Sequence, residues 1–118
     1  MTENSQSNDF ITYAQAAELL GIEPRRIKQL VRDRILFSVR TDQGLVIPRA
    51  IITHTENGWE PLWNLPGTLT LLADAGFNAE EAAAWLYRHD DELGQTPLAA
   101  LLSGHHHRVN RIATTLAF

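Results

Sequence analysis

The chain has 118 residues, 44% hydrophobic and 20% charged, a composition that suits one ordinary soluble domain or two very small ones and excludes a large multidomain enzyme. It has no cysteine, which excludes disulfides, thiolate zinc sites and a cysteine nucleophile, and no apolar run of the roughly 18 residues a membrane span requires. The formal net charge of −4 argues against a protein that coats nucleic acid indiscriminately.

In chain order, "MTENSQSND" (residues 1–9) is polar and aperiodic and reads as a flexible tail without the basic and apolar regions of a secretory signal. A cytoplasmic protein without a membrane partner is therefore expected. In "TYAQAAELLG", Thr12 followed by Gln15 makes a capping box, Ala16, Leu19 and Leu20 form an apolar face, and Gly21 is placed to end the helix in a left-handed conformation. Pro24 suits the first position of a second helix running to about Asp33. Two short helices around a glycine turn are the helix-turn-helix arrangement.

On the second helix Ile27, Leu30 and Val31 share one side, which leaves Arg25, Lys28, Gln29 and Arg32 on the other. "ILFSVRTDQGLVIP" follows, two β-rich stretches around Thr41-Asp42-Gln43-Gly44, a hairpin signal with Phe37 and Val39 inward and Ser38 and Arg40 outward. A hairpin after the second helix is the wing of a winged helix-turn-helix. "THTENGWEPLWNLP" (residues 53–66) holds turn formers and two tryptophans and reads as a linker pinned over a core by Trp59 and Trp63.

Beyond it the pattern is helical. "GTLTLLADAG" is closed by Gly76; "NAEEAAAWLYRH" opens on Asn78 with Glu81 three residues later; "TPLAALLSG" has a threonine cap, a proline in the first turn and Gly104 as stop. A last helix from about His106 to Leu116 buries Val109, Ile112, Ala113 and Leu116. The fold class expected is mainly α with a small β-hairpin wing. Its parts are a tail (1–9), a winged helix-turn-helix (10–52), a linker (53–66) and a helical C-terminal domain (67–118).

The charges are segregated. Between Glu23 and Arg49, seven bases meet three acids, a net +4, whereas from Glu56 onward three bases meet eight acids, a net −5. A helix entering a major groove needs long donors, because arginine can bridge guanine O6 and N7 and glutamine can bridge adenine N6 and N7. Arg25, Gln29 and Arg32 are candidates for that reading, and Arg26, Lys28, Arg40 and Arg49 for phosphate contacts. Double-stranded DNA is the expected partner.

Other constellations read as inert. The consecutive His105, His106 and His107 point about 100° apart on a helix and cannot share an ion, and Asp90 to Glu92 lack the alternation of a calcium loop. No G-x-S-x-G elbow and no phosphate-cradling glycine loop is present, so neither catalysis nor a cofactor is expected. The stripe Leu69, Leu72, Ala73 and the group Ala83, Trp85, Leu86 suit either core or a partner groove.

"TYAQAAELLGIEPRRIKQLVRDRIL" with "VIPRAII" resembles the excisionase and MerR-like winged helices. The later "LPGTLTLLADAG", the "WL" of Trp85-Leu86 and the closing residues resemble a family of small actinobacterial DNA-binding proteins that are substrates of a membrane Ser/Thr protein kinase. That resemblance implies a DNA-binding regulator or nucleoid-associated factor controlled by phosphorylation, with Thr2 and Thr12 as candidate acceptors. "AAAWLYRHDDELGQTPLAALLSG" is also similar to the toxin-binding domain of Xre/MbcA/ParS antitoxins, which implies a protein partner for the acidic half.

Overall fold

The structure, a computed structural model, describes residues 9–116. The expected tail up to residue 8, with Thr2, lies outside the described residues. The chain divides into two compact units between Trp63 and Asn64.

The first unit contains β1 (Phe10–Ile11), α1 (Tyr13–Leu20), α2 (Pro24–Arg32), β2 (Val39–Thr41), β3 (Gly44–Pro48), a 3-10 turn (Arg49–Ile51), β4 (Ile52–Thr55) and β5 (Gly58–Pro61). Thr12 starts α1 through the expected capping box: its Oγ1 accepts from the Gln15 N–H at 3.0 Å, and its own N–H donates to Gln15 Oε1 at 2.9 Å. Such a cap contributes about 1 kcal/mol. Gly21 follows at φ 72°, and Pro24 occupies the first turn of α2 as expected. The two helices pack on one another, with Ala16, Ala17 and Ile27 buried between or beneath them.

Three strands form an antiparallel sheet in the order β1-β3-β2, with Ile11 opposite Ile47 and Val39 opposite Val46. Phe37 is buried and Arg40 exposed as expected, but Ser38 and Val39 are alike half-buried and Val46, Ile47 and Pro48 are buried in succession, so the expected alternation holds only in part. Its first strand is shorter than "ILFSVR" suggests. The N–H groups of Ile35 and Leu36 both donate to the Leu30 carbonyl, at 2.9 and 3.2 Å, so these residues close α2 and are not available to a ladder. Asp9, expected in the tail, is tied down by its carbonyl, which accepts from the Arg49 N–H at 2.9 Å.

The segment read as a linker is itself structured. Ile52–Thr55 and Gly58–Pro61 pair antiparallel as a second hairpin, with His54 opposite Trp59, and this hairpin packs on α1. Trp59 is half-buried within it, but Trp63 is 71% exposed and is not part of the core.

The second unit contains α3 (Leu65–Asp74), α4 (Ala79–Leu86), α5 (Pro97–Leu102) and α6 (His106–Thr114). Helix α3 begins two residues before Gly67 because Pro66 fits its first turn, where no N–H partner is required. The caps expected at Asn78 and Thr96 are made: Asn78 Oδ1 accepts from the Glu81 N–H at 2.8 Å and Thr96 Oγ1 from the Ala99 N–H at 3.0 Å. Leu69, Leu72, Ala83, Trp85 and Leu86 are all buried, and Ala73 half-buried, which makes both apolar groups core. Val109 and Ala113 are buried as expected, while Ile112 and Leu116 are half-buried.

Two buried polar side chains link the helices of this unit. Asn64 Nδ2 donates to the Leu101 carbonyl at 3.0 Å, and Thr68 Oγ1 donates to Asn110 Oδ1 at 2.6 Å. Bonds of this kind matter mostly through what their loss would leave unsatisfied in the interior. The winged helix followed by a helical C-terminal part is thus the architecture expected, with more β-structure in the first unit than the sequence suggested.

Candidate nucleic-acid interface

Helix α2 is built to present one face. Burial of Ile27, with Leu30 and Val31 half-buried beside it, fixes its rotation on α1, and Arg25, Arg26, Lys28, Gln29 and Arg32 are all exposed. Nine residues give it a length of about 13 Å at 1.5 Å per residue. Arg25, Lys28, Gln29 and Arg32 fall within one sector of that helix, at spacings of three and four. Pro24 and Glu23 supply the amino-terminal end without a side-chain cap.

The neighbouring charges leave this face strongly positive. Glu23 Oε1 accepts from Arg25 Nε at 2.8 Å, but the two side chains are 82% and 67% exposed for arginine and glutamate respectively, so the pair is screened and easily exchanged for another anion. Arg26, Lys28 and Arg32 make no ion pair with a described residue. The second unit differs: Arg108 Nη2 donates to the Glu92 carbonyl at 3.0 Å and Arg111 Nη2 lies 3.5 Å from Glu92 Oε2, so two of its cations are turned onto their own acidic loop.

On the wing, Arg40 is exposed and stands opposite Leu45, itself 45% exposed, near the tip formed by Asp42 and Gln43. Arg49 is placed differently from the other candidates. It is half-buried, its Nη1 donates to the Ile52 carbonyl at 3.3 Å, and its guanidinium sits 4.6 Å from the centre of the Trp59 ring. A cation held over an aromatic face in this way is already stabilised by the fold.

Arg34 was not singled out from the sequence. It follows α2 directly, is exposed, and has φ 62°, the one described non-glycine residue with positive φ. A left-handed conformation costs an ordinary L-residue roughly 1–2 kcal/mol. The one signal in the sequence is a basic residue standing where glycine commonly ends a helix.

Thr12 is exposed, and its hydroxyl is engaged in capping α1. Among the described residues no group of three His, Cys, Asp or Glu side chains could hold a metal ion, and no described helix is long and apolar enough to cross a membrane.

Residues 5–52 match the family model of the DNA-binding protein Rv2175c winged helix-turn-helix domain, and residues 62–117 match that of the Rv2175c C-terminal domain, whose function is unknown. A relative named DNA-binding protein Rv2175c, from Mycobacterium tuberculosis, is 37% identical over 79 residues, a stretch covering 67% of this chain and 52% of the relative. The match therefore spans about half the length of that relative. The chain is also similar to the NMR structure of Rv2175c, at 30% identity with a TM-score of 0.79, over 92% of this chain and 81% of the other.

Proposed function

Because the chain belongs to the family of the DNA-binding protein Rv2175c, we propose that it binds double-stranded DNA by laying α2 in a major groove with the wing against the flanking backbone. The observation that carries this reading is the exposed cationic face of α2, on which Arg25 alone has an ion-pair partner among the described residues, on a protein of net negative charge. Arg25, Gln29 and Arg32 read base edges, while Arg26, Lys28 and Arg40 hold phosphates. Arg49 serves the second hairpin first and the phosphate backbone second, since its guanidinium is already engaged.

The role is regulatory: a single α2 contacts only a short site, so tight specific binding needs a second copy or a second DNA-contacting surface. Phosphorylation by a Ser/Thr kinase at Thr2 or Thr12 is the control that goes with this role. At Thr12 it would add a charge of about −2 to the unit that carries the basic face and so weaken binding.

The test is a titration of duplex DNA at several salt concentrations with the wild type and the Arg25→Ala/Arg32→Ala variant. Each phosphate contact contributes about 0.9 to the slope of log affinity against log salt, and each good base contact about 1–3 kcal/mol. The double variant should bind at least tenfold more weakly. Equal affinities for the two proteins, with no salt dependence, would falsify the reading. Thr12→Glu in the same titration examines the control: it should bind less tightly than Thr12→Ala, which loses the same cap without adding charge.

A further inference from the structure

Seven described residues have positive φ, and six of them are glycines: Gly21, Gly44, Gly58, Gly76, Gly94 and Gly104. Arg34 is the seventh. It occupies the position just after the cap of α2, where the chain reverses through two backbone bonds: the Arg34 N–H donates to the Val31 carbonyl at 3.1 Å, and the Ile35 N–H to the Leu30 carbonyl at 2.9 Å. Both bonds are made by backbone alone, and glycine is the residue that fills this position without strain. The fold therefore has no use for a side chain here.

The side chain present is a cation, exposed, with no ion pair or side-chain hydrogen bond to a described residue. Favourable interaction with the carboxy-terminal end of α2 does not account for it, because Arg32 already supplies a positive charge in the last turn. Strain retained beside a charged and unengaged side chain is characteristic of positions where a ligand contact compensates for it. Its place on the molecule indicates which ligand. A recognition helix reads base edges chiefly from its amino-terminal residues, so a residue immediately past its carboxy-terminal end is placed for the phosphate backbone and not for base edges.

We propose that Arg34 is a DNA phosphate contact, carried beyond the end of α2 by its left-handed backbone. The proposal rests on the DNA-binding reading of α2 given above. A phosphate contact does not choose sequence, so its loss should weaken binding to all duplexes alike.

Two variants separate strain from charge. Arg34→Gly removes both and Arg34→Gln removes only the charge, so thermal melting and titration of a random-sequence duplex of about 20 base pairs give a distinct result for each. Arg34→Gly should melt higher by on the order of 4 °C and bind about eightfold more weakly at about 0.1 M salt, with the salt slope reduced by about 0.9. Arg34→Gln should show the same loss of binding without the gain in melting temperature.

Wild-type affinity in either variant overturns the proposal, and so does a lower melting temperature for Arg34→Gly, which would mean that the arginine serves the fold. Lys28→Ala, at a proposed phosphate contact on α2 itself, is the control in the same titration. If Lys28→Ala binds weakly while both Arg34 variants bind normally, Arg34 alone is misassigned. If Lys28→Ala also binds normally, the DNA-binding reading of α2 fails with it.

Discussion

The two hairpins of the first unit are built on the same turn and put to different use. In the wing, Thr41 Oγ1 accepts from the Gln43 N–H at 3.2 Å and donates to the Gly44 carbonyl at 3.0 Å; in the second hairpin, Thr55 Oγ1 accepts from the Asn57 N–H at 3.0 Å and donates to the Gly58 carbonyl at 3.2 Å. Both turns end on a glycine with φ near 105°, at 104° and 106°. Yet the wing presents Arg40 to solvent, whereas the second hairpin carries Glu56 and Glu60 and draws Arg49 inward over Trp59. A turn motif fixes where the chain reverses. The charges on the strands decide what the reversal is for.

The comparison can be broken most forcefully at the glycines. A Cβ built at Gly44 or Gly58 meets nothing within 4 Å, so the penalty for Gly44→Val or Gly58→Val is conformational and not steric crowding by neighbours. A β-branched residue at such a φ should cost roughly 2 kcal/mol in each hairpin. Urea unfolding should show similar losses for the two variants. Only Gly44→Val should also weaken DNA binding measured where both are folded, because only its hairpin carries a proposed contact. Equal DNA affinity for the two would remove the distinction between wing and second hairpin.

A smaller effect separates the two arginines. Arg40→Ala should bind duplex about eightfold more weakly at about 0.1 M salt, which is the release of roughly 0.9 counterion. Arg49→Ala should act on stability instead. It removes the hydrogen bond to Ile52 and the contact with Trp59, a loss of about 1 kcal/mol in stability, with a salt slope close to that of the wild type. A salt slope lowered equally by both variants would show that Arg49 leaves Trp59 to meet phosphate.

The contrast also marks how far the sequence could be read. The capping boxes at Thr12 and Asn78, the proline at the start of α2 and the wing were legible because each is a local signal: its cause lies within four residues. The second hairpin carries the same Thr-x-x-Gly signal at Thr55 to Gly58, but its flanks, "THT" and "WEP", lack the alternating aliphatic residues that usually announce strands. Its apolar side comes from Trp59 meeting Arg49 and His54, a contact made only once the chain has folded back.

The candidate interface divides in the same way. The exposed face of α2 follows from helical periodicity, and Arg25, Lys28, Gln29 and Arg32 could be named from spacing alone. The engagement of Arg49 and the conformation of Arg34 could not. One depends on a tryptophan ten residues away in the chain, and the other on where the last backbone bonds of α2 fall.

The finest test of the comparison lies in the threonines themselves. Replacing either hydroxyl by a methyl, as Thr41→Val or Thr55→Val, removes one accepted and one donated hydrogen bond at each turn and keeps the side-chain volume, so each should lose about 1 kcal/mol of stability. The losses should not be equal. The single Thr55 hydroxyl proton is shared between the Gly58 carbonyl and Glu60 Oε1, each 3.2 Å away, so part of its donated bond goes to a carboxylate that the wing's threonine lacks, and hydrogen bonds to ionised groups are the stronger ones. Thr55→Val should therefore exceed Thr41→Val by a few tenths of a kcal/mol. The excess should vanish in a Glu60→Gln background, where the acceptor is no longer a carboxylate. If the difference persists there, it comes from packing of the second hairpin on α1 and not from the carboxylate, and the two turns are equivalent in their hydrogen bonding.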